Sequence, residues 1–137
     1  GITLELAGDG VMTGSDALIY RMIFNLTENA IKYNRPDGSV QVCITQEPEK
    51  LLILVSDTGR GIPEEYQQSI FQPFFRVDKS RSRTFGGAGL GLALVWEIAA
   101  LHGGSVRVAE SSDSGTTIAA ELPRSGNHAA DPKNEML

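Results

Sequence analysis

The stretch that most constrains this chain is Gly86-Gly87-Ala88-Gly89-Leu90-Gly91. Four glycines in six residues are not there to fill a core. Glycine supplies positive φ freely and lets another group approach the backbone closely. An apolar run with helical spacing follows at once: Leu90, Leu94, Val95, Ile98 and Leu101. A flexible loop therefore feeds straight into a helix start, where unpaired N–H groups and the positive end of the macrodipole suit phosphate. Taken alone, the pattern also describes a hinge or a tight packing site. No Lys-Ser or Lys-Thr follows the last glycine and no strand immediately precedes the loop, so neither a Walker loop nor a Rossmann fingerprint fits.

The rest of the chain alternates strands and helices. Ile2–Leu6 alternates apolar and polar and predicts a strand, with Val11–Thr13 placed to pair back. Ser15 or Asp16 caps a helix running to about Tyr33. Leu18, Met22, Leu26, Ala30 and Tyr33 share a broad face with Ile19 and Ile23. Asn25, Asn29 and Lys32 line the edge of that face, which predicts a cleft beside the core. Tyr20, Phe24 and Ile31 form a second apolar strip, expected to lie under the N-terminal strands rather than against a partner. Asn34–Gly38 reads as a loop, Ser39–Thr45 and Leu51–Val55 as strands of one sheet. Asp57-Thr58-Gly59-Arg60-Gly61 then ends a buried strand with an aspartate and two glycines, and Pro63 opens a short helix through Ile70.

From Phe71 to Phe85 no period survives, and Arg76, Lys79, Arg81 and Arg83 put four cations within eight residues. Such a loop is either a solvated basic segment or a lid that folds over an anion, anchored by its phenylalanines. The glycine-led helix stops at His102-Gly103-Gly104 with Gly103 as C-cap. Ser105–Ala109 and Thr116–Leu122 read as a hairpin, and residues 124–137 as a polar tail. At 137 residues this is one domain with a core. Its net charge of −5 argues against a nucleic-acid module. Cys43, the single cysteine, reads as a small buried hydrophobe, and His102 and His128 have no metal-ligand partners at useful spacing. No segment has the length or apolarity of a transmembrane helix or signal peptide, so the expected location is the cytoplasm.

The order of these motifs closely resembles the ATP-binding domain of bacterial sensor histidine kinases, within the GHKL superfamily. Asn25-Leu-Thr-Glu-Asn29-Ala-Ile-Lys32-Tyr33 resembles the family's N box. Asp57–Pro63 resembles its first glycine box, Phe71–Arg76 its F box, and Gly87–Leu92 its second glycine box. Gly115-Thr116-Thr117 resembles the short motif before the last strand. The resemblance covers residues 1–123. It implies an α/β two-layer sandwich of the Bergerat type, with three helices on a mixed five-stranded sheet.

It also implies ATP and Mg²⁺ as ligands. Asp57 would read adenine's exocyclic amino group, as a carboxylate acceptor can. Gly59, Gly61 and Ile62 would pass beside the base, with Tyr33 along base or sugar, or in the core. Asn29 would ligate magnesium through its oxygen, with Asn25 supporting the ion or the phosphates. Lys32 would place a charge on phosphate, and Arg76 and Arg81 would clamp the transferring group. Phe75, Gly87, Gly89, Leu90, Gly91, Leu92 and Thr117 complete the implied contacts. Hydrolysing relatives carry a glutamate general base where this chain has Asn25, and an amide takes no proton at neutral pH. Glu28 lies about 60° further round the helix. Asn25 therefore favours a kinase over a GHKL ATPase or a degenerate nucleotide-binding module. The implied acceptor is a histidine on a separate dimerisation domain of the same parent kinase. A response regulator would act downstream, the parent would lie at the inner face of the membrane, and the fragment would be monomeric.

Overall fold

The computed structural model describes residues 3–8, 10, 12, 14–75 and 90–124. The basic segment from Arg76 to Phe85, the glycines from Gly86 to Gly89, Val11, Thr13 and His128 lie outside the described residues, as do the readings made of them.

Five strands form one mixed sheet: β1 (Thr3–Gly8), β2 (Ser39–Gln46), β3 (Lys50–Asp57), β4 (Ser105–Ser112) and β5 (Gly115–Pro123). Their order is β1-β2-β3-β5-β4; β1 runs parallel to β2, and the other pairs are antiparallel. The helices α1 (Asp16–Lys32) and α2 (Gly91–Leu101) cover one face. Between them in sequence lie two 3₁₀ turns, Glu64–Tyr66 and Ser69–Phe71. The result is the expected α/β two-layer sandwich; among the described residues, two α-helices and two 3₁₀ turns lie with one mixed five-stranded sheet.

Local chemistry accounts for each element. Ser15 caps α1, its hydroxyl accepting from the Leu18 amide at 3.3 Å. Asp16 in the first turn and Lys32 in the last complement the helix dipole. Met22, Leu26 and Ala30 of α1 and Val95, Ile98 and Ala99 of α2 meet the inward side chains of the sheet. Those are Val40, Val42, Ile53, Val55, Ile118, Ala120 and Leu122, whose alternation fixes the register. Arg124, the first residue assigned by sequence to the tail, is tied to the β2–β3 turn. Its N–H donates to the Glu49 carbonyl at 3.0 Å and its guanidinium to the Glu47 carbonyl at 3.0 Å.

Four expectations are corrected. The Tyr20, Phe24 and Ile31 strip is not covered; these residues are 70, 45 and 41% exposed. β1 joins the far edge of the sheet beside β2, and its own Leu4 and Leu6 are exposed as well. The buried side of α2 is Ala93, Val95, Ile98 and Ala99, whereas Leu90, Leu94 and Leu101 are exposed. The helix is apolar nearly all round, so periodicity could not choose its inner face. The helix expected from Pro63 to Ile70 is two 3₁₀ turns, anchored by buried Ile70 and Phe71. Cys43 is half-buried on the side of the sheet away from the helices, opposite Leu54.

His102 has a structural task. It is buried, and its Nε2 accepts the Ser15 N–H at 3.1 Å while Nδ1 lies 2.8 Å from the Ile98 carbonyl. Those partners require a neutral ring protonated on Nδ1. The end of α2 thus fixes the cap of α1. His102→Ala should lower stability by about 1–3 kcal/mol, because it strips a polar partner from inside the fold. Urea unfolding measures this; an unchanged midpoint would mean that the ring holds nothing in place.

Candidate functional site

The site begins where β3 ends. Register places Asp57 opposite Val40 on one side and Thr116 on the other, on the face that carries the helices. Its Oδ1 accepts from the Gly59 N–H at 2.8 Å and the Thr116 N–H at 3.2 Å. Its Oδ2 makes no hydrogen bond with any described residue. Burial pushes the Asp57 carboxyl above its ordinary value, and the two backbone N–H groups only partly offset this. The result is a half-buried carboxylate with one oxygen fixed and the other open.

Two glycines make the turn after Asp57 possible. A Cβ on Gly59 would lie 2.6 Å from the Tyr33 carbonyl oxygen. Gly61 has φ +82°, and a Cβ there would lie 2.1 Å from the Ser112 carbonyl oxygen. The backbone therefore runs flat between the end of α1 and the end of β4. Ile62 continues it, its N–H donating to Ser111 Oγ at 2.8 Å and its carbonyl accepting from Gln67 Nε2 at 3.0 Å. Phe75 packs on Tyr66 with ring centroids 5.6 Å apart.

The polar row on α1 borders the same region. Asn25 Nδ2 donates to the Gly91 carbonyl at 3.5 Å, which joins the row to the start of α2. The Asn29 amide makes no hydrogen bond with any described residue. Lys32 sits 3.9 Å from Glu28, one turn back, in a loose and solvent-screened pair. Tyr33 ends α1 with its ring partly exposed and its carbonyl over Gly59. At α2, Leu92 packs against the core and Leu90 is exposed. A Cβ on Gly91 would meet nothing within 4 Å.

The structure does not bring Thr117 to Asp57. Thr117 pairs with Ser56 on the opposite face of the sheet, their hydroxyls 2.8 Å apart. Thr116 takes that place, buried beside the carboxylate. Strand alternation with inward Ile118 and Ala120 carried that signal. Two further residues escaped the sequence reading. Ser111 Oγ lies 2.8 Å from Thr116 Oγ1 as well as accepting from Ile62. Asn34 Oδ1 accepts from Thr58 Oγ1 at 2.8 Å while its Nδ2 donates to the Ser39 carbonyl at 2.8 Å. Asn34 thereby holds the Asp57 turn against the end of α1.

Among the described residues no group of three or more His, Cys, Asp or Glu could hold a metal. The unpartnered Asn29 amide beside Asn25 fits a magnesium ion that leaves most of its positions to phosphate oxygens and water.

The fold is that of a GHKL-type domain. Residues 14–126 match the profile of the histidine kinase-, DNA gyrase B- and HSP90-like ATPases, and the chain belongs to that family. Within it the similar proteins are sensor histidine kinases. The sensor histidine kinase RppB of Synechocystis sp. is 38% identical over 117 residues, which is 85% of this chain and 26% of that protein. This chain thus spans about a quarter of RppB. The mycobacterial sensor histidine kinase MprB superposes with a TM-score of 0.77 at 31% identity, over 89% of this chain and 81% of the solved one. Full-length ShkA, solved in complex with AMPPNP, gives 0.76 at 27% identity, over 90% of this chain and 26% of its own.

Three predictions test the site. Asp57→Asn keeps an acceptor for Gly59 and Thr116 but removes a buried charge, so the empty protein should melt at the same or a higher temperature. Adenine-nucleotide affinity should fall about tenfold or more, because a hydrogen bond to a charged group contributes roughly 1.5–3 kcal/mol. The sign of the pH dependence follows. With its folded pKa raised, Asp57 takes up its proton in the folded state first, so acidification relieves its burial as it neutralises the acceptor. Affinity in wild type should therefore begin to fall at a higher pH than an ordinary aspartate would set, and calorimetry across mildly acid pH would register it. Gly91→Ala should stabilise the empty fold by about 0.4–1 kcal/mol, since the methyl has room. It should also weaken nucleotide binding several-fold; unchanged affinity would remove Gly91 from the phosphate site.

Proposed function

We propose that this domain binds ATP with magnesium and donates the γ-phosphoryl to a histidine on the dimerisation domain of its parent kinase. The observation that carries the reading is the Asp57 carboxylate, fixed by one oxygen, open at the other, and bordered by a glycine-lined backbone. An open carboxylate oxygen accepts from adenine's amino group and repels guanine's keto oxygen. From there the α1 row and the start of α2 lead to the phosphates. Asn29 and Asn25 would hold magnesium, which when bound neutralises charge on the phosphate oxygens. Lys32 adds a cation, and Arg76 and Arg81 supply the fork-shaped contacts that steady the group in transfer.

Phosphoryl transfer asks for positioning and charge neutralisation more than for covalent chemistry from the protein. An imidazole acceptor attacks with its own lone pair, so this domain need not supply a base. Asn25 occupies the position where a hydrolase needs one, and Glu28 is drawn along α1 toward Lys32. In this reading a response regulator takes the phosphoryl onward, and the parent kinase works at the inner face of the cell membrane. Among the described residues no helix is long and apolar enough to cross a membrane.

ATP or ADP with magnesium should raise the melting temperature, and GTP should not. Ligand at a hundred times Kd stabilises by about 2.7 kcal/mol. Incubated alone with γ-labelled ATP, the chain should stay unlabelled and release little phosphate. Addition of the parent's dimerisation domain should produce acid-labile phosphohistidine, and Arg76→Ala or Arg81→Ala should reduce it sharply. Robust phosphate release by this chain alone would replace the kinase with an ATPase.

A further inference from the structure

β4 carries an irregularity that the proposed chemistry has not used. Its register against β5 runs Val108↔Ile118 and then Glu110↔Thr117, so Ala109 is the extra residue of a bulge. An unbulged strand would set Glu110 opposite Thr116. The bulge sets Ser111 there instead. Beside Asp57, it exchanges a second carboxylate for a hydroxyl.

That hydroxyl links three walls of the site. The Ile62 N–H can only donate, so it occupies one lone pair of Ser111 Oγ. Thr116 Oγ1 lies 2.8 Å away on the other side. Thr116 itself is buried, and its N–H goes to Asp57 Oδ1. When a hydrogen-bond acceptor enters beside Asp57, every donor can be paired by one direction of the chain. It runs from Ile62 N–H to Ser111, from Ser111 to Thr116, and from Thr116 to the acceptor. The wall then presents a donor next to the open Asp57 oxygen, an acceptor. Adenine's edge offers the complement, an amino donor beside a ring-nitrogen acceptor. Hypoxanthine offers a keto oxygen beside an N–H.

We infer that Ser111, delivered by the bulge at Ala109, is a positioning residue for base selection: it turns the Thr116 hydroxyl into a donor and so favours adenine over hypoxanthine. The inference rests on the nucleotide reading above. Aligned hydroxyls polarise one another, so removal of the first weakens the last.

The test measures ADP and 1-deaza-ADP affinities with magnesium by calorimetry, in the whole chain, well below each variant's melting temperature. 1-Deaza-ADP keeps the amino group that Asp57 reads and lacks the ring-nitrogen acceptor that distinguishes adenine from hypoxanthine. The variants are Ser111→Ala, Ser111→Thr, Thr116→Val and the Ser111→Ala/Thr116→Val double. Ser111→Ala should lower ADP affinity about fivefold, the scale of one neutral hydrogen bond. 1-Deaza-ADP affinity should change less than twofold. Ser111→Thr should restore the wild-type ratio. The double variant should match Thr116→Val alone, because Ser111 acts through Thr116. Equal losses for ADP and 1-deaza-ADP would mean that Ser111 only holds the walls together, and additive losses in the double variant would mean that it does not act through Thr116; either overturns the inference. Wild type that binds neither nucleotide would overturn the nucleotide reading itself, and this inference with it.

Discussion

The Asp57 carboxylate keeps one oxygen open because the backbone around it is locked without using that oxygen. The lock is a small polar cluster at the junction of α1, β2 and β3. Thr58 Oγ1 accepts the Ser39 N–H at 2.9 Å and donates to Asn34 Oδ1 at 2.8 Å. The Thr58 N–H reaches the Ser39 carbonyl at 3.2 Å, and the Asn34 amide shares that carbonyl. Each of these polar groups finds its partner within the cluster, as polar groups out of solvent must. The turn then passes so close under Tyr33 that only glycine fits at 59. Rigidity comes from the neighbours, and the carboxylate keeps its open acceptor.

This division carries a stability cost that is local. Burial opposes the charge on Asp57, Gly91 begins a helix with no side chain to pack, and Leu90 is exposed beside it. Each is a choice that stability alone would reverse. All three gather at one end of the helical layer. The apolar core of Met22, Leu26, Val95, Ile98 and the inward strand residues supplies the compensation. His102 adds a second tie by joining the end of α2 to the start of α1. Strain and open valence concentrated against a well-packed background are what a binding site requires.

How legible this was in sequence depended on whether the signal was local. The cap, period and length of α1 are local signals: Ser15 or Asp16 as the cap and an end near Tyr33 bracket the observed helix, which Ser15 caps and Tyr33 ends. So were the strands and the aspartate-glycine turn that places Asp57. The inner face of α2 was not legible, because a helix apolar on nearly every side leaves the choice to α1 and the sheet. Tyr20, Phe24 and Ile31 were assigned a cover that required knowing where β1 would pair, which is a long-range fact. Thr117 was chosen over Thr116 on motif resemblance, although strand alternation pointed to Thr116. Ser111 had no sequence signal, since a bulge shifts every residue beyond it to the other face and leaves the letters unchanged.

Asn25 draws fold and chemistry together. Its amide N–H reaches the Gly91 carbonyl at 3.5 Å, so the residue that would be a hydrolase's base is here a bridge between two helices. A carboxylate in that place has no proton to give at neutral pH. Its lone pairs would face those of the carbonyl, and the contact would turn from attraction to repulsion. The junction of α1 with α2 is thus better served by an amide than by a general base. On the proposed function, an amide in turn suits transfer to a nucleophile that brings its own lone pair, because the amide itself takes no proton from water at neutral pH. On that reading, the residue that joins the helix pair would also steer the chemistry away from hydrolysis.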